Sequence, residues 1–335
     1  MKITVLQEKI AQPDLRADEL TAHWNRLKSV PGVSEVNIIR DKEYPSVQVL
    51  SDWIGDSDAV FGIWVGPNVI NRFFLSAHPN LQYISMLGHG YEPFDKEYAR
   101  NHGVTITNTI YGASTIAEYA FALLNEVCHR ISVQNSFIQD GDWTSATEAQ
   151  YCRAIVPQIE LYGKTIGIIG LGAIGFHAAQ IARGYGMHVI GLSRHKKRGE
   201  EYSFIEQTSS LEYLLSHSDV ISLHVPHTKE TENMISGKAI SHMKKDAILI
   251  NTARGAVVDE KALADALRSG RIRAAAVDVL REEPPQHGSP LLGLPNCIVT
   301  GHIAWLTRES RFRAIDMAID QFRQYLDGYP VSVID

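Results

Sequence analysis

The chain reads as an α/β protein made of two Rossmann-like, doubly wound parallel-sheet domains, the first of them discontinuous. Three observations predict this. Its 335 residues exceed what one hydrophobic core usually organises. Short apolar runs alternate with helical patterns in both halves, as in a parallel sheet covered by helices. One such run enters a glycine-rich turn at Gly170, the kind of place where open α/β sheets bind ligands.

In the N-terminal third the strand candidates are Ile3 to Leu6, Val36 to Ile39, Ala59 to Trp64 and Tyr83 to Met86. A single long helix is expected from about Ser114 to Ile138, with Ile116, Ala120, Leu123, Leu124 and Val127 at helical spacing. The strand pattern restarts at Thr165 to Ile169 and continues with His188 to Gly191, Val220 to Leu223, Ala247 to Asn251, Ala274 to Val279 and Cys297 to Thr300. Helices are expected at Ile174 to Arg183, at Lys261 to Leu267 behind an Asp259 cap, and at Arg308 to Leu326.

Composition narrows the function classes. Hydrophobic residues at 44% and charged residues at 21% argue against a long disordered tail. A net charge of -6 weighs against nucleic acid as a partner, because phosphate backbones would be repelled. Cys128, Cys152 and Cys297 are odd in number and widely spaced, which suits a reducing compartment and offers no metal-ligand pattern. The apolar run at Met1 to Leu6 is too short for a signal peptide, and no segment has the roughly 18 consecutive apolar residues of a membrane span. A cytoplasmic protein without metal or membrane partners is the expectation.

The segment Gly170-Leu171-Gly172-Ala173-Ile174-Gly175 joins an apolar strand to a helix. Gly170 permits the tight turn, Gly172 lets backbone approach a pyrophosphate, and Gly175 lets helix and strand pack closely. The backbone N–H groups around Ala173 and Ile174 then face the phosphates with the helix dipole behind them. Such a turn also occurs as a bare connection, so the flanking strand and helix carry the reading. About 20 residues on, a carboxylate would accept from a ribose 2′-OH. Here Ser193 stands at that place, followed by Arg194, His195, Lys196, Lys197 and Arg198. These cations suit a 2′-phosphate, which favours NADP(H) with NAD(H) possible; the alternative is a solvated charged loop.

With its remaining motifs the chain resembles the D-isomer-specific 2-hydroxyacid dehydrogenases. The pieces, in family order, are Gly88-His89-Gly90 with Phe94-Asp95, Thr115-Ile116-Ala117-Glu118, the glycine turn, His224-Val225-Pro226 with Thr228 and Thr231, Asn251-Thr252-Ala253-Arg254-Gly255 with Val258-Asp259, Asp278-Val279 with Glu283-Pro284, and His302-Ile303-Ala304-Trp305. Each is weak alone. Their order is hard to obtain by chance.

The resemblance implies a catalytic Arg254, Glu283 and His302. Reducing a 2-oxo acid needs a hydride on the carbonyl carbon, a proton on its oxygen and an anchor for the carboxylate. Arginine's always-charged fork suits the carboxylate and polarises the carbonyl. Histidine exchanges a proton near neutral pH, and a neighbouring carboxylate favours its charged form. The resemblance further implies dinucleotide contacts from Thr115, His224, Val225, Pro226, Thr252, Ala253 and Asp278, although the last three also suit a purely structural strand end. Backbone donors at His89 and Gly90 would hold the substrate carboxylate, and Trp64 either faces the same pocket or belongs to the core.

Departures from the family pattern are the missing proline after Asn108, a stretch to Glu118 that is one residue short, His227 in place of an apolar residue, and Gly301 in place of the proline before His302. The His302-Ile303-Ala304-Trp305 run is similar to the glyoxylate/hydroxypyruvate reductase (glycerate dehydrogenase) branch. The resemblance implies a substrate-binding domain of 1–112 completed by 303–335, a dinucleotide domain of 113–302, and a hinge where the chain crosses between them. The crossing helix and Gly141-Asp142-Trp143 resemble a dimerisation arm, which implies a homodimer. The expected function is NAD(P)H-dependent reduction of a short 2-oxo acid to the D-2-hydroxy acid. A non-catalytic, dinucleotide-sensing regulator on the same fold is the alternative.

Overall fold

A computed structural model describes residues 1–7, 14–40, 46–62, 71–88, 95–141 and 154–334. The chain divides into two compact units, Met1–Gly112 with Leu306–Asp335, and Ala113–Trp305.

The first unit runs β1 (Lys2–Leu6), α1 (Ala17–Trp24), β2 (Glu35–Ile39), α2 (Val47–Ile54), β3 (Ala59–Gly62), α3 (Arg72–Ala77), β4 (Tyr83–Met86), α4 (Lys96–Asn101) and β5 (Thr105–Asn108). Its five strands are parallel in the order β2-β1-β3-β4-β5. β3 and β4 are buried along their whole length, as strands covered on both faces must be.

The second unit carries α5 (Ala113–His129), α6 (Ile131–Asp140), β6 (Thr165–Ile169), α7 (Ala173–Gly184), β7 (His188–Leu192), β8 (Ile205–Thr208), α8 (Leu211–His217), β9 (Val220–Leu223), α9 (Gly237–His242), β10 (Ile248–Asn251), α10 (Glu260–Arg268), β11 (Ala274–Val277) and β12 (Cys297–Val299). Its seven strands lie in the order β12-β11-β10-β9-β6-β7-β8, all parallel. Alternate residues feed two cores: Leu249 joins one face, Ile248 and Ile250 the other. Asp259 caps α10 by accepting from Ala262 N at 3.0 Å. The chain ends in α11 (Arg308–Leu326), which returns to the first unit. There Phe322 meets Phe61 edge to face at 5.3 Å, and the fully buried Arg311 pairs with Asp14.

Three expectations change. The single helix over 114–138 is two, because Arg130 takes a left-handed conformation (φ 49°) between α5 and α6. Both β5 and β8 are strands that the apolar pattern does not reveal: each lies at an end of its sheet's strand order and carries a single apolar residue, Ile106 and Ile205. Among the described residues no helix is long and apolar enough to cross a membrane.

Candidate active site

The strands of the second unit are parallel, so the residues after each of them emerge at the same edge of the sheet. There lie the glycine turn after β6, Ser193 after β7, His224 after β9, Arg254 after β10, Asp278 after β11 and His302 after β12. This is the edge where open α/β sheets bind ligands.

The glycine turn is tight. Gly170 has φ 100°, its N–H donates to Leu192 O at 2.8 Å, and a Cβ on it would come within 2.4 Å of His224 O. A Cβ on Gly175 would come within 1.9 Å of Gly170 O. Gly172 is different: a Cβ there would meet nothing within 4 Å. Gly172 starts α7 without a side-chain cap, and Ala173 and Ile174 form its first turn. Close packing behind the turn and open space before it fit a dinucleotide pyrophosphate.

Two buried polar atoms near this turn support the same fit. His224 Nδ1 and Thr252 Oγ1 are buried without a hydrogen-bond partner, one residue past the ends of the paired strands β9 and β10. Buried polar atoms are seldom left unpaired unless a ligand or water completes them. Val225 and Pro226 follow His224, and Thr231 Oγ1 pins the Pro226 carbonyl at 2.6 Å. Thr252 and Ala253 are buried, and Asn251 Oδ1 accepts from Ala253 N at 3.0 Å.

The Arg254, Glu283 and His302 side chains come from three neighbouring strand ends. Gly255 sets the first of them, since a Cβ on it would come within 2.0 Å of Leu280 C. Only glycine lets the loop after β11 approach so closely. Arg254 Nη1 donates to Ala253 O at 2.7 Å. Glu283 Oε1 accepts from Leu280 N at 2.7 Å, and its Oε2 lies 2.6 Å from His302 Nδ1. Burial pushes the Glu283 carboxyl up, but the hydrogen bond and charge of His302, the Leu280 N–H and the Arg254 charge outweigh it and hold the carboxyl below its usual value. The carboxylate thus accepts from Nδ1–H, which fixes the ring and leaves Nε2 as the nitrogen turned to other partners.

The Asp278 carboxylate, expected on the nicotinamide side, hydrogen-bonds within its own unit. It accepts from Thr300 Oγ1 at 2.6 Å, Ile303 N at 3.0 Å and Ala304 N at 2.8 Å. Ser193 Oγ donates to His195 O at 2.8 Å, with Arg194 and His195 exposed beside it. Thr115 is buried near the start of α5, a helix that packs on α7. Trp64, His89, Gly90, Asp142 and Trp143 lie outside the described residues. Sequence reasoning missed Ser222, whose Oγ is 2.9 Å from His224 Nε2, and Thr300. The first had a signal: residues two apart on a strand share a face.

His224 gives a pH prediction. Burial pushes its imidazole down to about 4 from an ordinary 6.5. As pH falls below 6.5 the unfolded chain takes up a proton that the folded chain refuses until about 4, so stability is lost across that window. The full effect is on the order of 3 kcal/mol. Urea midpoints of the parent should therefore fall more steeply between pH 7 and 5 than those of His224→Gln; parallel slopes would remove His224 as the cause.

Comparison with known proteins bears on this geometry. Residues 121–304 match the family model for the D-isomer specific 2-hydroxyacid dehydrogenase, NAD binding domain. The hydroxypyruvate reductase of Blautia hydrogenotrophica is 37% identical over 286 residues, 84% of this chain and 86% of that protein. The chain belongs to the D-isomer specific 2-hydroxyacid dehydrogenase family. The glyoxylate reductase of Thermococcus litoralis is 38% identical over 289 residues, covering 86% of each chain. The solved structure of an acyclic imino acid reductase in complex with NADPH and D-Arg matches with a TM-score of 0.82 and 29% identity over all of both chains. As a member of this dehydrogenase family the chain is an oxidoreductase that acts on CH–OH groups with a nicotinamide dinucleotide.

Proposed function

We propose that this dehydrogenase reduces a short 2-oxo acid of the glyoxylate or hydroxypyruvate type to the D-2-hydroxy acid, with Arg254, Glu283 and His302 as its catalytic residues. The observation that carries the proposal is the 2.6 Å contact between Glu283 and His302 Nδ1 on adjacent strand ends, with Arg254 on the next. The names of the relatives from Blautia hydrogenotrophica and Thermococcus litoralis support the substrate class.

The glycine turn, Thr252, Ala253 and the loop from His224 to Pro226 would hold the dinucleotide, which when reduced supplies the hydride for the carbonyl carbon. Arg254 anchors the substrate carboxylate and draws electron density toward the carbonyl oxygen as negative charge develops there. His302 passes the Nε2 proton to that oxygen, so the carbonyl gains a hydride and a proton and becomes the hydroxyl. Glu283 stabilises the charged imidazole before transfer and keeps its ring aimed. In the oxidative direction His302 takes the same proton back.

NADP(H) is the proposed dinucleotide. Ser193 carries no charge to repel a 2′-phosphate, and Arg194 beside it offers a charge-assisted hydrogen bond. Glu230 works against them: after its bond from Thr228, the charge of Arg194 is among the influences that hold its carboxyl below the usual value. That carboxylate lies near enough to Arg194 to offset part of its attraction for phosphate. A preference of about tenfold for NADPH in kcat/KM is therefore expected, near the low end of what one such bond supplies. Replacing Ser193 with Asp and Arg194 with Ala should reverse it. Equal or better use of NADH by the parent at the same ionic strength would show that the basic run is a solvated loop.

A further inference from the structure

We infer that Thr300 is a positioning residue for the His302 imidazole, acting through Asp278. The inference rests on the reading of His302 as the proton donor.

His302 occupies a left-handed backbone conformation, φ 57°. A non-glycine residue there is strained and persists only where its surroundings enforce it. The loop's own sequence does not enforce it. Gly301 stands where the family resemblance places a proline, and glycine leaves the backbone freer than a ring that fixes φ. Packing around Gly301 adds nothing, since a Cβ there would meet no atom within 4 Å.

What remains is a set of hydrogen bonds: Trp305 Nε1 donates to His302 O at 3.1 Å, and the others converge on Asp278. This residue is 1% exposed at the end of β11. Its carbonyl accepts from His302 N at 2.7 Å, its Oδ1 from Thr300 Oγ1 at 2.6 Å and Ile303 N at 3.0 Å, and its Oδ2 from Ala304 N at 2.8 Å. The segment 300–304 is thus clamped before, at and after His302. Thr300 supplies the only side-chain donor among those bonds to Asp278 and the shortest of them.

Without the Thr300 hydroxyl the buried carboxylate loses its shortest bond and is held only by Ile303 N on Oδ1 and Ala304 N on Oδ2, so it can turn on them. Turning lengthens the Ile303 and Ala304 bonds and releases the backbone that carries His302. The imidazole then shifts against Glu283 and against the carbonyl oxygen it protonates. A displacement of about 1 Å at a reacting atom costs on the order of a hundredfold in rate, so a partial loss of position costs less than that.

The test is Thr300→Val, which keeps the shape and removes the O–H, assayed with glyoxylate and NADPH. Expected is a fall in kcat of about ten- to fiftyfold, with KM and the NADPH Kd from fluorescence titration nearly those of the parent and Tm lowered by the bond lost to a buried carboxylate. Thr300→Ser should recover most of the lost kcat. In a His302→Ala background Thr300→Val should cost nothing further, because the group it positions is gone. Should Thr300→Val fail to fold, Thr300→Ala takes its place with the same expected split. A kcat within twofold of the parent, a loss carried by KM or dinucleotide affinity, or an equal loss in the His302→Ala background would overturn the inference alone. Full activity of His302→Ala itself would overturn the functional reading and this inference with it.

Discussion

An Arg254→Ala variant is expected to lose about a thousandfold in kcat/KM for any 2-oxo acid. Arg254 sits after β10, half-buried, with Nη1 on the Ala253 carbonyl and its charge bearing on Glu283. On the proposed function two services end with its removal: the anchor for the substrate carboxylate and the positive charge beside the developing oxyanion. Removing a single oxyanion donor costs about 2.7 to 4 kcal/mol, already on the order of a hundred- to a thousandfold. The backbone should tolerate the change, because the tight approach to Leu280 belongs to Gly255. Lysine should rescue only partly, since it keeps the charge and loses the planar fork. Steady-state kinetics on a variant with unchanged Tm checks this. Activity within about threefold of the parent would remove Arg254 from the site.

A His302→Ala variant is expected to lose about a thousandfold in the rate of reduction while binding the dinucleotide as the parent does. Proton delivery matters in the transition state and not in cofactor binding, so kcat carries the loss. Its Nδ1 contact with Glu283 confines the ring, and among the described residues the imidazole makes no hydrogen bond to the glycine turn. NADPH titration by fluorescence separates the two effects. Weaker dinucleotide binding in step with the lost rate would mean that His302 belongs to the cofactor site.

Much of this arrangement was legible in the sequence, for reasons that particular residues make plain. β6, β9 and β10 are short, apolar and buried on both faces, so their ends were visible, and with them the places of Gly170, His224 and Arg254. The terminal helix Arg308–Leu326 has a Thr307 cap and a regular buried stripe, and it falls where the periodicity puts it. Edge strands were hidden. Thr105–Asn108 and Ile205–Thr208 each present a single apolar residue, Ile106 and Ile205, too few to register as strands; the first is covered all the same, because residues 332–334 pair along its outer side. The break at Arg130 was hidden because a left-handed turn without glycine or asparagine leaves no mark in the sequence.

At the site the residue types were legible and some of their partners were not. A carboxylate at Asp278 follows from the strand pattern; that its oxygens accept from Thr300, Ile303 and Ala304 follows only from how residues 300–304 fold back on β11. His224 shows the same limit. Sequence places it at a strand end, two residues from Ser222 on the same face, while its complete burial depends on the helices that cover the sheet.

Whether the protein is a reductase is decided by steady-state reduction of a panel of 2-oxo acids, glyoxylate, hydroxypyruvate and pyruvate among them, with NADPH and NADH in parallel at one ionic strength. Turnover of glyoxylate or hydroxypyruvate to the D-2-hydroxy acid is expected, faster with NADPH and lost in His302→Ala. No turnover across the panel by a protein that still binds the dinucleotide would contradict it, and would leave a regulator on a dehydrogenase fold as the better reading.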